Sequence, residues 1–358
     1  MTERLQGGVY LSENGGIISE NEGVAVYEKP ESAREKTMCY RIMRAHCVND
    51  DKDKMNIKFD ALISHDITYV GIIQTARASG LRSFPVPYAL TNCHNSLCAV
   101  GGTINEDDHV FGLSAAKKYG GIYVPANQAV IHQYARECMA GCGKMILGSD
   151  SHTRYGAIGT MGIGEGGPEL VKQLLKNTYD VNAPQVVLVY LKNKPRKGIG
   201  PQDVALALVG ETFKDGFVKN CVLEFAGPGA SELSMDFRIG IDVMTTETTC
   251  LSSIWKTDEK TREYLKLHKR ENEYKEIAPQ DGAYYDKAII IDLAKVESMI
   301  AMPFHPSNVY TVKDLCQNAG DIFRETEKKA KEQFGEKAEY RLTDKLSDGK
   351  VMVDQGVI

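Results

Sequence analysis

Asp150, Ser151 and His152 stand together in the stretch Gly148-Ser149-Asp150-Ser151-His152-Thr153, and seven glycines fall between Gly148 and Gly167. A carboxylate beside an imidazole is a proton-handling pair. The carboxylate orients the ring and favours its charged form, and an unperturbed imidazole pKa of about 6.5 brings transfer within reach of neutral pH. The residues just before, Met145-Ile146-Leu147, are apolar and read as the end of a buried strand. The polar side chains therefore fall where the strand stops, which is where an open α/β sheet presents its ligand-binding groups. Asp and Ser also fill ordinary turns, and glycines also serve tight packing alone, so the motif by itself marks a candidate. Three more stretches carry chemistry of the same kind: Ser64-His65-Asp66-x-Thr68, Cys93-His94-Asn95, and Gln128 to Gln133 around His132.

The elements around these residues alternate between strand-like and helix-like patterns. Ala61-Leu62-Ile63 is strand-like before the polar Ser64-His65-Asp66, and Thr68 to Ala78 is helical. Ser114 to Tyr119 reads as a short helix, Tyr123-Val124-Pro125 as extended chain, and Val130-Ile131-His132 opens a helix through Cys138. Pro168 suits the first turn of a helix running to Leu175. Alternation of this kind predicts parallel βαβ units. After Ala183-Pro184, a new strand spans Val186 to Leu191, a basic connection runs from Lys192 to Gly200, and Pro201 to Phe213 is helical. Gly227-Pro228-Gly229 reads as a turn, Ala288 to Ile291 as a strand, and Asp321 to Arg341 as a solvated, highly charged helix. Residues 1 to about 55 read as a polar lead-in, and Lys350 to Ile358 as a strand-like segment where a fragment stops.

A chain of 358 residues is expected to divide into two or three domains. Its formal charge of −5 shows no basic face for nucleic acid, and no apolar run reaches the ~18 residues of a membrane span. The polar amino terminus has no apolar core of a signal peptide, so a soluble cytoplasmic protein is expected. Nine cysteines, an odd number, argue against a disulfide framework, and no Cys-x-x-Cys pair occurs.

In order and spacing, the four polar stretches resemble the aconitase superfamily of iron–sulfur hydro-lyases, which includes the isopropylmalate and homoaconitate dehydratases. Weaker likenesses continue through Gly227-Pro228-Gly229, Thr248-Thr249, Tyr285-Asp286 and Pro303-Phe304-x-Pro306. The resemblance implies aconitase-like three-layer α/β/α domains with mostly parallel sheets: residues 1–183 with the Asp-Ser-His-Thr loop, 184–296 as a second domain, and 297–358 as the start of a third. It implies a hydratase or dehydratase acting on a hydroxylated di- or tricarboxylic acid through a [4Fe–4S] cluster in the full-length protein. His94 matches the family's proton donor to the departing hydroxyl. His132 matches the histidine paired with the loop aspartate, Asp150, and an imidazole with a carboxylate partner is expected to gain proton affinity. His152 matches the histidine that handles cluster-bound water, and Ser151 a serine near cluster or substrate. His65, with Asn95, falls on the substrate side.

Some family positions differ. The aspartate that precedes the proton-donating histidine is Cys93, and a family Asn and Glu four apart in the second domain appear as Gly240 and Met244. Asp242 or Glu247 could supply a carboxylate in the place of that Glu. The family's cluster cysteines and substrate-binding arginines are expected beyond Ile358, so no metal ligand, cluster or activity is assigned to this stretch alone. Its expected partners are a small carboxylate substrate and the missing carboxyl-terminal domains. The alternative is an aconitase-like scaffold that has lost hydratase activity and serves binding or regulation.

Overall fold

The strand Met145–Gly148 is buried along its whole length, as befits a strand covered on both faces of a parallel sheet. In this computed structural model, which describes residues 1–93 and 103–356, it belongs to a five-stranded sheet. The order is Ile122–Val124, Tyr88–Thr91, Ala61–His65, Met145–Gly148, Met161–Gly164, with every neighbouring pair parallel. The chain builds outward from Ala61–His65 in one direction, then returns to its other side with Met145–Gly148. The carboxyl ends of these two strands therefore flank the topological switch point, where a crevice opens in such a sheet. His65 ends one of them, and Asp150 follows the other by two residues.

The helices that follow strands of this sheet are Asp66–Ala78, Thr103–Tyr119, Ile131–Cys138 and Gly167–Leu174. Asp66–Ala78 packs against both Thr103–Tyr119 and Gly167–Leu174, and Ile131–Cys138 against the central strand. Two boundaries differ from the sequence reading. The strand at Ala61 runs on through Ser64 and His65, because buried Ser64 finds a partner in the Tyr88 hydroxyl at 2.7 Å. The helix ending at Tyr119 starts at Thr103 rather than near Ser114; its polar amino-terminal half hides the pattern.

A second sheet orders Thr2–Leu5, Lys287–Asp292, Val186–Lys192, Val222–Ala226 and Ser252–Trp255. The last four are mutually parallel, and Thr2–Leu5 is an antiparallel edge. The amino-terminal stretch is thus no lead-in. Besides this edge it gives Val9–Leu11, paired between Ala283–Tyr285 and Ile17–Ser19, and the Met38–His46 helix. The start of that helix is fixed by Glu224, a fully buried carboxylate that accepts from the Met38 and Cys39 N–H groups at 3.1 and 3.0 Å and from the Tyr285 hydroxyl at 2.5 Å. Thr2–Leu5 is a short edge strand, and such strands carry polar residues freely, which is why composition hides it.

The two sheets meet directly behind the glycine-rich run. Ser252 Oγ donates to the Gly162 carbonyl at 2.8 Å and Arg154 Nη2 to the Cys250 carbonyl at 2.9 Å, and one apolar core passes through both sheets. Both sheets are mostly parallel, which makes the chain α/β as the sequence implied. Residues after Met299 form a hairpin, Met299–Ala301 with Val309–Thr311, and a helix, Val312–Phe334, around a small core of their own that includes Met302, Leu315, Ile322 and Phe323. Lys350–Val351 pairs only with Leu346–Ser347, and no strand follows up to residue 356. Among the described residues no helix is long and apolar enough to cross a membrane.

Candidate active site

The loop after Met145–Gly148 folds on itself through Asp150. Its carbonyl accepts from the Thr153 N–H at 3.1 Å and the Thr153 hydroxyl at 2.7 Å, while its Oδ1 accepts the His152 N–H at 2.7 Å. Such a turn is what an Asp followed by short polar residues makes. The turn lies so close to its own strands that no side chain fits opposite it. A Cβ on Gly164 would run into the Asp150 carbonyl, one on Gly148 into the Thr153 hydroxyl, and one on Gly162 would come within 2.8 Å of the Thr153 carbonyl. These three glycines serve the loop's packing, not a ligand's approach.

Three histidines surround the Asp150 carboxylate. His132, from the Ile131–Cys138 helix, places Nε2 at 2.9 Å from Oδ1. His65, at the end of the neighbouring strand, places Nε2 at 3.6 Å from Oδ2. His152 lies with Nδ1 at 3.5 Å from Oδ1. The far nitrogen of His152 faces a second carboxylate, Glu247, at 3.3 Å. Glu247 sits in the Thr245–Thr248 turn that precedes the edge strand of the second sheet, and Thr246 beside it donates to the Ser151 carbonyl at 2.5 Å. Ser151 itself is exposed, with Oγ 3.4 Å from His152 Nδ1.

The electrostatics separate the two ring partners. Burial alone would raise Asp150, but the hydrogen bonds from His132 and from the ring and N–H of His152 hold its carboxyl far below the usual carboxylate range. Burial pushes His132 down, and its bond to Asp150 offsets this only in part. His132 is thus neutral at neutral pH, with its proton on the nitrogen that faces the acceptor-only carboxylate. Its Nδ1 then accepts from the Tyr155 hydroxyl at 3.2 Å, a phenol that burial keeps protonated. His152 goes the other way: the Asp150 contact raises it, burial opposes, and Glu247 adds to the rise. The gain in proton affinity expected at His132 therefore falls on His152. The difference is solvent: the His152 side chain is 40% exposed and that of His132 15%.

The sequence model of the aconitase family (aconitate hydratase) matches residues 40–358 of this chain. The chain belongs to the aconitase family. Among curated aconitase relatives, the 3-isopropylmalate dehydratase large subunit of Clostridioides difficile is 35% identical over 177 residues, covering 48% of this chain and 41% of that protein. A second large subunit of that name, from Archaeoglobus fulgidus, is 29% identical over 210 residues, covering 58% of this chain and 50% of that protein. The mitochondrial aconitate hydratase of Aspergillus fumigatus is 29% identical over 316 residues, covering 83% of this chain and 39% of that protein. The chain thus spans half or less of the length of these aconitase-family proteins.

Against the aconitase pattern, His65, His132, Asp150, Ser151 and His152 are brought to one place. His94 and Asn95 lie outside the described residues. The strand from which they follow is well fixed: Asn92 Nδ2 donates to the Val124 carbonyl at 2.8 Å and Asn92 Oδ1 accepts from the Tyr69 hydroxyl at 2.5 Å. That strand pairs Thr91 with His65, so Cys93 leaves the sheet beside the His65 strand. Burial pushes the Cys93 thiol up, which leaves it no substitute for a carboxylate at neutral pH.

Gly240 is explained by packing, since a Cβ there would come within 2.7 Å of Pro201. Of the two carboxylates that could stand in for the residue at Met244, Asp242 is buried and wholly engaged by Ser253, Trp255 and the Ala157 N–H. Glu247 is the one that faces the histidine. Sequence reasoning named it only as one of two options, and missed Tyr155, inside the glycine-rich run, Thr246, and His305, at the unspecified position of Pro303-Phe304-x-Pro306.

The aconitase cluster itself does not fit the donors present. Among the described residues no three His, Cys, Asp or Glu side chains are grouped to hold a metal ion. Cys39, Cys142, Cys221 and Cys250 are buried, and burial raises the first three thiols, which disfavours the thiolate a cluster requires.

Proposed function

We propose that this chain supplies the proton-handling half of an aconitase-family hydro-lyase site that adds water to, or removes it from, a hydroxylated di- or tricarboxylic acid. The observation that carries the reading is His152, held between the carboxylates of Asp150 and Glu247 at the switch point of a parallel sheet. Loss of a hydroxyl next to a carboxylate requires a proton for the departing oxygen and a base for the carbon-bound hydrogen, and a group with a tuned pKa near neutrality serves such transfers best.

In this proposal Asp150 stays ionised and fixes both rings. Neutral His132 is a donor that orients Asp150, with Tyr155 fixing its tautomer. His152, partly exposed and favoured in its charged form, is the ring that exchanges a proton with substrate-derived water, and Glu247 takes the part of the family carboxylate replaced at Met244. His65 lines the substrate side, and His94 is assigned the proton donation its family position implies. A [4Fe–4S] cluster of the kind the family uses would supply a Lewis acid for the substrate hydroxyl, and no group of His, Cys, Asp or Glu among the described residues is arranged to hold it.

A role in binding or regulation alone drew its support from the carboxylates absent at Cys93 and Met244. Glu247 weakens that support. The deciding experiment is anaerobic reconstitution of the protein together with its remaining segments, followed by an assay with isopropylmalate, citrate and homocitrate for the unsaturated acid. Turnover that is lost in His152→Asn supports the proposal; a reconstituted, cluster-bearing protein that turns over none of them, while still binding one, would favour the scaffold reading.

A further inference from the structure

The hairpin and helix after Met299 have their own small core, yet one of their side chains reaches the site. His305 lies in the turn between Met299–Ala301 and Val309–Thr311, at the variable position within Pro303-Phe304-x-Pro306. Its Nε2 is 3.7 Å from Glu247 Oε2, on the oxygen that His152 does not use. Its ring stacks on Phe213, with centroids 3.7 Å apart and planes 23° from parallel.

The tautomer follows from the other nitrogen. The Ser307 N–H points at His305 Nδ1 from 3.1 Å, and a backbone N–H can only donate. Nδ1 is therefore an acceptor, and the ring's proton is on Nε2, facing Glu247. Ser307 Oγ lies 3.0 Å from the same Nδ1. The turn that achieves this carries Phe304 at φ 126°, a backbone region costly for a bulky residue and found where a side chain must be aimed. Stacking, tautomer and strained turn all fix one vector, from Nε2 to Glu247.

We propose that His305 is a positioning residue: it holds the Glu247 carboxylate toward His152 and so joins the third segment of the chain to the proton-handling pair. The inference rests on the reading of His152 given above. His152 faces Asp150, Glu247 and, with ring centroids 6.3 Å apart, His132. Glu247 faces His152 and His305. His305 faces Glu247, with Lys214, Lys329 and Glu332 lining the cleft beside it. At 3.7 Å, beyond hydrogen-bond length, the Nε2–H of His305 acts on Glu247 as an electrostatic neighbour, and without it the carboxylate is less constrained toward His152.

The test is a histidine NMR titration, which requires no turnover and so separates this inference from the reaction proposed. His305→Phe keeps an aromatic ring over Phe213 and removes the donor; His305→Gln restores an N–H donor of similar reach; Glu247→Gln removes the carboxylate's charge. His152→Asn assigns the resonance. The expected result is a fall in the His152 pKa of about half a unit to one unit in His305→Phe, no larger than that in Glu247→Gln, with at least half of it regained in His305→Gln. An unchanged His152 titration in a folded His305→Phe protein, with Glu247→Gln shifting it, overturns the role of His305. An unchanged titration in both variants overturns the His152–Glu247 pairing as well.

Discussion

Two carboxylates hold the same loop and do opposite things. Asp150 lies in the loop with histidines as its ring partners, and its pKa is depressed. Asp242 anchors the loop from behind through the Ala157 N–H at 3.3 Å, and its other partners are Ser253 Oγ at 2.7 Å and Trp255 Nε1 at 2.9 Å. All three are neutral groups that do not titrate near neutrality, and burial outweighs them, together with the Arg136 charge, to raise the Asp242 pKa. A buried carboxylate with fixed neutral donors is a structural fastener; one whose donors can change charge is a device for moving protons. Count of hydrogen bonds does not separate the two cases, whereas partner type does.

Substitutions at the two positions should therefore part ways. On the proposed function, Asp150→Asn is expected to lower kcat by roughly 10²- to 10⁴-fold, the usual worth of positioned acid–base groups, measured by steady-state assay. Asp242→Ala should instead destabilise by about 2–4 kcal/mol, because it leaves the Trp255, Ser253 and Ala157 donors buried without an acceptor, while kcat per folded molecule stays within a few-fold. Chemical denaturation alongside activity decides this, and the contrast fails if Asp242→Ala is a stable protein with the Asp150→Asn kinetic defect.

The pH dependence of stability carries the same distinction. His132 has a lowered folded-state pKa, so below its unfolded value of about 6.5 the unfolded chain binds a proton that the folded chain does not, and stability falls with pH. Asp150 adds a second loss once pH drops below its unfolded value of about 3.9 and towards its depressed folded one. His152, with a raised folded-state pKa, acts in reverse: its contribution is complete below about 6.5 and is lost as pH rises through the folded value. Denaturation midpoints at pH 7 and pH 5 should show a smaller loss in His132→Gln than in wild type; an equal loss would show that His132 is not the group responsible.

Smaller effects should come from the glycines. Gly164→Ala sets a methyl group against the Asp150 carbonyl and is expected to cost on the order of 1–3 kcal/mol, as overpacking does. Gly166→Ala, whose nearest neighbour is Pro168 Cδ at 3.6 Å, should change stability by no more than about 0.5 kcal/mol. Thermal unfolding of the pair shows whether the run serves the loop's contact with its strands.

Much of the site was legible because local signals agreed: an apolar strand, an Asx-type turn and glycines in one stretch locate Asp150, and alternation of strands and helices gives parallel sheets. What stayed hidden depends on long-range pairing. Thr2–Leu5 is too short and polar to announce itself as the edge of a sheet whose partner, Lys287–Asp292, lies near the other end of the chain. Glu247 was one of two possible carboxylates until the turn Thr245–Thr248 showed which one faces His152. The division of labour between His132 and His152 follows from their unequal burial, which residue type and spacing do not encode.

The most direct test of the central claim, that Asp150 holds one imidazole of lowered and one of raised proton affinity, is the histidine titration of wild type and Asp150→Asn compared ring by ring. The account predicts that His132 titrates below about 6.5 and His152 above it in wild type, with His152 falling once the carboxylate becomes an amide. Both rings titrating together near that value, and unmoved by Asp150→Asn, would contradict it.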